Sequence, residues 1–344
     1  MSRRSLTLII AFVATVAALA VAVLVPVPYV ILGPGPTLNT LGKDASGKPL
    51  LTVSGHRTYP TTGHLNMVTV SYMGGPGMNI NIFQALQSWL SSDEAVVPES
   101  ELFPPGQSAK ETQQQDTAQM TGSQQTAQAA AFSTLHIPFT THVAIAAVLP
   151  HTPAAGTLKT GDQVLSVDGA EVTGQTQMTH LITSHPAGSA LKLSVRRKDK
   201  TMPLTVTTKK VDGRAVMGVE VTEQFKFPFD VRFTVGDIGG PSAGMMFALG
   251  IIDKLTPGSL TDGKFIAGTG EITSSGQVQP IGGIQQKMAG ARSAGARVFL
   301  APAGNCRDVR GAIPAGLKVV KVATLSQAMS DLQALQKGHA VPSC

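Results

Sequence analysis

The sequence predicts a membrane-anchored chain in which helices and strands are segregated into successive regions, and three observations carry that prediction. Leu6 to Val25 is a run of twenty residues without a charge. From about Phe139 to Thr208, short strands alternate with turns. From about Val216, strands lead into a glycine-rich turn and then into Met245 to Ile252, which is almost wholly apolar. The 344 residues suit two or three domains, and 42% hydrophobic residues are enough for real cores. Lys and Arg exceed Asp and Glu by only 27 to 21, with no basic stripe interleaved with aromatics, which argues against a nucleic-acid partner. The eight histidines are scattered, no His-Glu-x-x-His occurs, and no cofactor signature is found, so neither metal nor cofactor is expected.

At ~1.5 Å per helical residue, Leu6 to Val25 spans a ~30 Å hydrocarbon core, interrupted only by Thr7 and Thr15. Arg3 and Arg4 precede it, and the positive-inside rule then leaves the N-terminus in the cytoplasm and everything after Pro26 outside. Residues 1–30 are therefore read as a cytoplasmic tip and a single-pass anchor in the cell membrane. A cleaved signal peptide is the alternative, against which stand the length of the run and the lack of an Ala-x-Ala site after it. Cys306 and Cys344, the only cysteines, then lie in an oxidising compartment, where a disulfide or two separate thiols both remain open.

Between the anchor and residue 135 the expectation is extracytoplasmic strands and helices packing near the C-terminal domain. Val25 to Leu38, rich in Pro and Gly, reads as an extended exit segment, and Leu51 to Tyr72 contains β-type runs. Ile82, Phe83, Leu86, Trp89 and Leu90 recur at helical spacing and predict a core-facing helix. Ala109 to Leu135, rich in Gln and Ala, predicts a largely solvated helix.

Residues 136–212 carry strands expected at His142 to Leu149, Gln163 to Val167, Leu191 to Arg196 and Pro203 to Thr208, with a helix around Thr176 to Ser184. Within them, the run from Pro153 through Leu158, Gly161, Asp162, Val164 and Val167 to Gly169 resembles the bacterial PDZ family, a β-barrel-like domain with helices. Here glycines serve turns, the apolar residues fill a core, and Asp162 bonds local backbone. The resemblance implies a groove for peptide C-termini or extended segments, lined by the first strand near His142 to Ile145 and the helix near Thr176 to Ile182. A purely structural PDZ domain is the alternative.

In the last region, 213–335, Ser242 lies where the glycine-rich turn enters the apolar helix expected from about Pro241. Backbone N–H groups and the positive dipole end at a helix start suit a developing alkoxide or oxyanion, although a serine there is more often a cap. Ile284, Met288, Ala291 and Gly295 mark an apolar helical face, and Lys287 falls on or beside it, where desolvation makes an amine a base. Gln285 and Gln286 are the ordinary places for a charge on that helix.

Gly240-Pro241-Ser242-Ala243-Gly244, Thr269-Gly270-Glu271-Ile272, Gly276-Gln277-Val278, Pro280-Ile281-Gly282-Gly283-Ile284 and Lys287 resemble, in order and spacing, the proteolytic domain of Lon-type peptidases. The whole chain is similar to bacterial membrane-bound Lon-like proteases with a PDZ domain. That resemblance implies an α+β fold, a serine endopeptidase with Ser242 as nucleophile, Lys287 as general base and Thr269 orienting the amine, polypeptide substrates outside the cytoplasm or near the membrane, and a tendency to homo-oligomerise. Residues 336–344 remain as a tail.

Two departures bear on the expectation. ATP-using Lon proteases carry an acidic residue where this chain has Gly239, and Gly258 to Lys264 mimics a Walker A loop but is followed by Phe265 and apolar residues that predict a strand. Hydrolysis without ATP is the resulting expectation. Gly240-x-Ser242-x-Gly244 also fits the nucleophile elbow of an α/β-hydrolase esterase, with Asp308 and His339 following in chain order. A non-enzymatic membrane adaptor that binds peptides through the PDZ domain is a third reading.

Overall fold

The computed structural model describes residues 3–44 and 46–344, which form two compact units, residues 1–136 with 229–344, and residues 137–228. The chain enters with α1 (Arg3–Leu24), the one helix among the described residues long and apolar enough to cross a membrane. Thr7 and Thr15 return their hydroxyls to the carbonyls of Arg3 and Ala11, so neither leaves an unsatisfied donor on an apolar surface.

Next come β1 (Tyr29–Asn39), β2 (His64–Met73), α2 (Ile82–Trp89), β3 (Ala95–Pro98) and α3 (Ala109–Thr134). The Pro-rich exit segment is thus a long strand and not a spacer. It pairs antiparallel with β2 through a register shift between Pro34 and Thr37, which takes Gly35 and Pro36 out of the regular ladder.

Two expectations in this region are corrected. The apolar stripe on α2 is not core: Phe83, Leu86, Trp89 and Leu90 are all exposed, and only Ser88 of the helix is buried. Conversely, α3 is not simply solvated. In its second half Ala127, Ala129, Ala130, Ala131 and Phe132 are fully buried, because small side chains let its backbone approach its neighbours closely.

The chain then builds the second unit with β4 (Thr140–Val148), β5 (Gln163–Val167), α4 (Gln175–Thr183), β6 (Ala190–Arg197), β7 (Lys200–Thr207) and β8 (Val219–Lys226). They form one sheet in the order β7-β6-β5-β4-β8, with Ala170–Glu171 added to β5. Its core joins Val143, Ile145, Leu158, Val164, Val167, Met178, Leu191 and Leu193. Asp162 accepts from the Lys159 amide and from the Arg197 guanidinium, which holds its carboxyl below the ordinary aspartate range. A boundary near 212 would cut this sheet: β8 pairs with β4 along Thr140 to Val148, so the unit closes at Pro228.

On its return the chain forms α5 (Gly244–Leu255), β9 (Phe265–Gly268), α6 (Ile284–Ser293), β10 (Val298–Pro302), β11 (Lys318–Val322) and α7 (Leu325–Gln336). The loop Gly258 to Lys264 turns into strand β9, as its apolar sequel predicts, and offers no helix N-terminus for phosphate. The strands on either side of the second unit share one mixed sheet, β11-β10-β9-β2-β1-β3, in which β11, β10, β9 and β2 run parallel. Residues 31–135 and the C-terminal region are therefore one fold, not neighbouring modules.

Strand alternation assigns the two faces of that sheet. Val68, Ala267, Phe299 and Val319 pack with Ile284, Met288 and Ala291 of α6. On the other face Gly268 leaves room for Met246 of α5, whose residues from Met245 to Ile252 are all buried. The tail is pinned as well: Lys321 donates to the Pro342 carbonyl, and Cys344 is joined to Cys306 in a disulfide.

Candidate active site

Helices α5 and α6 lie on opposite faces of the sheet, and their N-terminal ends can meet only where a strand between them stops. That place is the carboxyl end of β9, at Gly268, and the residue that follows it is Thr269. Ser242 comes two residues before the first turn of α5, which begins at Gly244 and not at Pro241. Its hydroxyl caps nothing: the N-cap is Ala243, without a side-chain hydrogen bond. Instead the Ser242 carbonyl is fixed by the Gly270 amide at 2.8 Å and by the Thr269 hydroxyl at 2.9 Å, and the Oγ is left for other work.

Lys287 occupies the first turn of α6, whose N-cap Gly283 has φ +66°, a left-handed conformation suited to glycine. A Cβ at Gly283 would also lie 2.6 Å from Val70 Cγ2, so glycine alone lets the helix start this close to β2. The lysine is 3% exposed, and its Nζ lies 2.7 Å from Ser242 Oγ and 3.2 Å from Thr269 Oγ1. No carboxylate ion-pairs with it among the described residues; burial pushes its pKa down to about 8. Gln286, expected at the surface, is buried beside it, whereas Gln285 reaches out to the Asp308 carbonyl.

The three residues nominated from the sequence, Ser242, Lys287 and Thr269, are thus brought together. The hydrolase alternative is not assembled: Asp308 is engaged by Asn305, His339 is in the exposed tail, and neither lines the cleft around Ser242. That cleft, about 440 Å³, is walled by apolar groups of β1 and β2, including Leu32, Val68, Val70 and Tyr72, and by Gln113, Asp116 and Met120 of α3. Beyond Met67, β2 pairs with β1 alone, so the edge from Val68 toward Met73 faces the cleft without a strand partner among the described residues.

Sequence reasoning did not find the part played by α3. The Asp116 carbonyl accepts from the Gly240 amide at 3.1 Å, and Ser123 Oγ donates to the Pro241 carbonyl at 2.9 Å. A Cβ on Gly239 would lie 2.3 Å from Asp116 Cβ, so the absent side chain is what lets α3 close on the serine loop. Burial raises the pKa of the Asp116 carboxyl. The Gly239-Gly240 pair was the only sequence signal, and it does not name its partner.

Residues 205–335 match the family described as the Lon protease (S16) C-terminal proteolytic domain, and residues 113–208 match the PDZ domain family. The chain carries a Lon-type proteolytic domain and a PDZ domain. Among its relatives, the Lon protease of Roseiflexus castenholzii is 34% identical over 44% of this chain and 18% of its own length. Lon protease 2 of Bacillus subtilis is 28% identical over 49% and 29%, and Lon protease 2 of Herpetosiphon aurantiacus 46% identical over 20% and 8%. The chain spans less than a third of the length of each of these Lon proteases. The PDZ domain of an SdrC-like protein from Listeria monocytogenes aligns at 23% identity over 23% of this chain and 85% of that domain, with a TM-score of 0.22.

Within the PDZ unit the strand expected to line a groove is paired on both sides. His142 to Ile145 lie in β4, which β5 covers on one side and β8 on the other. A cleft of about 400 Å³ opens instead between Thr179, Ile182 and Thr183 of α4 and the segment Ala215 to Val219.

Proposed function

We propose that the chain is a serine endopeptidase that cleaves polypeptides with a Ser242/Lys287 dyad and without ATP, held at the membrane by α1 with its catalytic unit outside the cytoplasm. The observation that carries this reading is the 2.7 Å approach of a buried, uncompensated lysine amine to the Ser242 hydroxyl, which does not cap its helix. Neutral Lys287 takes the Ser242 proton as Oγ attacks the peptide carbonyl; the ammonium then donates to the leaving amine, and water repeats the sequence to free the acyl group. Thr269 bonds both the amine and the Ser242 carbonyl, which orients the pair. The positive end of α5 favours the oxyanion.

An extended substrate fits as a strand added to the free edge of β2 from Val68, its side chains against the apolar wall. The PDZ cleft beside α4 takes a peptide C-terminus or segment of the same or another polypeptide. Arg3 and Arg4 before α1 and the disulfide at Cys306 both favour an extracytoplasmic catalytic unit.

The test is cleavage of an unfolded protein by the wild type, Ser242→Ala and Lys287→Ala, with products mapped and ATP with magnesium added or omitted. Both variants should lose at least about a thousandfold in rate, and nucleotide should change nothing. Wild-type turnover in either variant would sink the dyad, and peptide binding without Ser242-dependent cleavage would leave an adaptor.

A further inference from the structure

Phe83, Leu86, Trp89 and Leu90 recur three and four apart along α2 and its C-cap, so they share one face. They are 50, 52, 73 and 82% exposed. A stripe of four large apolar side chains on a short helix is the pattern of an element that buries one face, yet among the described residues nothing covers it.

What the helix is fastened to identifies the missing cover. Immediately after α1, Pro26 and Val27 pair antiparallel with Asn81 and Ile80, and Asn81 is the N-cap of α2. A reciprocal capping box between Asn81 and Gln84 fixes the helix start, and α1 itself touches α2. The first residue of α2 is therefore about one strand spacing, roughly 4.8 Å, from the point where the apolar helix ends. No residue from Ile82 to Ser92 is charged; Asp93 and Glu94 follow, and no lysine or arginine flanks the stripe for an anionic headgroup. Tyr29 and Trp89 line the same shallow apolar groove.

We infer that α2 is a second membrane-contacting element, lying in the plane of the interface with Phe83, Leu86, Trp89 and Leu90 in the acyl-headgroup boundary of a neutral bilayer. The inference rests on the reading of α1 as a membrane span. If α1 fills the hydrocarbon core, its last turn ends at the headgroup level, and α2 is held at that level by the Pro26–Asn81 pairing whichever side the catalytic unit occupies. Amphipathic helices bury their apolar face ~5–10 Å deep in that zone, and tryptophan and tyrosine favour it.

The consequence reaches the active site. Met73, the last residue of β2, contacts Gln84 of α2, and Val70, three residues earlier on the same strand, lines the cleft. Tyr72, next to Met73, lines it too, so at ~3.3 Å per residue the cleft begins about one residue along the strand from the contact with the interfacial helix. Polypeptide segments emerging from or lying on the membrane would be the substrates within reach.

Trp89 is the only tryptophan in the chain, so its fluorescence reports α2 alone. The full chain is reconstituted in phosphatidylcholine vesicles with acyl chains brominated near the headgroup or near the methyl end, and vesicle flotation checks that it is inserted. The expected result is quenching of about threefold by the shallow bromines, less by the deep ones and little by aqueous acrylamide. Leu86→Glu with Leu90→Glu should reverse that order while a short soluble peptide is still cleaved at the wild-type rate. Chain that floats with the vesicles but whose Trp89 is untouched by either brominated lipid overturns the inference and leaves the anchor standing. In that case acrylamide access would show an open surface, and protection from it a second copy of the chain. Chain that does not float overturns both.

Discussion

Lys287 is the residue on which most of the proposed chemistry turns, and its ionisation makes two measurable demands. Burial lowers its pKa to about 8 from 10.5. The acid limb of kcat/KM should therefore bend near pH 8 and fall about tenfold per pH unit below it, because only the neutral amine accepts the serine proton. A rate independent of pH between 6 and 9 would remove lysine as the base. Folding stability must respond with a definite sign. Between about pH 8 and 10.5 the unfolded chain holds a proton that the folded chain has released, so this lysine's contribution rises with pH through that window and is unfavourable below it. The penalty at neutral pH is about 3 kcal/mol from the size of the shift. Lys287→Met, which keeps the volume and removes the charge, should raise the unfolding free energy at pH 7 by about 2–3 kcal/mol while abolishing cleavage. Chemical denaturation at pH 7 and pH 10 measures it: the gain should shrink at the higher pH, and an equal gain at both would assign it to packing instead.

Among the secondary elements, α3 clamps the serine loop from a region far away in sequence. Ser123 bonds the carbonyl before Ser242, and Asp116 bonds the amide one residue earlier. Ser123→Ala should lower kcat by roughly tenfold with KM and the melting temperature little changed, and Ser123→Thr, which restores the hydroxyl, should recover most of it. Equal losses in both variants, or a fall in melting temperature alone, would mean packing rather than positioning. Gly239→Ala should be worse than either, since its Cβ would meet Asp116 Cβ at 2.3 Å. None of this was legible in the sequence, because a carbonyl that accepts a bond leaves no trace in residue type. That Ser242, Thr269 and Lys287 come together was legible because the glycines around them answer to backbone constraints shared with Lon-type domains. The stripe on α2 was read correctly as apolar and wrongly as core: helical spacing reports that a face is buried, not what buries it. The buried half of α3 was missed for the opposite reason, since alanine hardly registers as apolar although it packs well.

At the scale of the whole molecule, the PDZ unit is an insertion between two halves of one sheet. The chain leaves after α3 and resumes at Phe229, whose ring is 4.7 Å from Phe132 and whose carbonyl accepts from Gln128. The two ends of the insertion therefore lie near the last turns of α3, close enough for a short linker to join them without moving either half. The compact unit runs past the expected boundary at 212, because residues 213–228 look like any other strand until β8 is seen to pair with β4. Replacing residues 138–227 with a few glycines and serines should leave the proteolytic unit folded, the Cys306–Cys344 bridge intact and Ser242 able to cleave a short peptide with kcat/KM within about threefold of the full chain. Cleavage of a protein substrate should fall much further if the cleft between α4 and Val219 recruits it, and equally little if that cleft is structural. Comparing the two substrates separates recruitment from catalysis. Should the excised protein fail to fold, Asp162→Ala in the full chain supplies the same comparison, because it removes the buried partner of Arg197 and loosens the inserted unit alone.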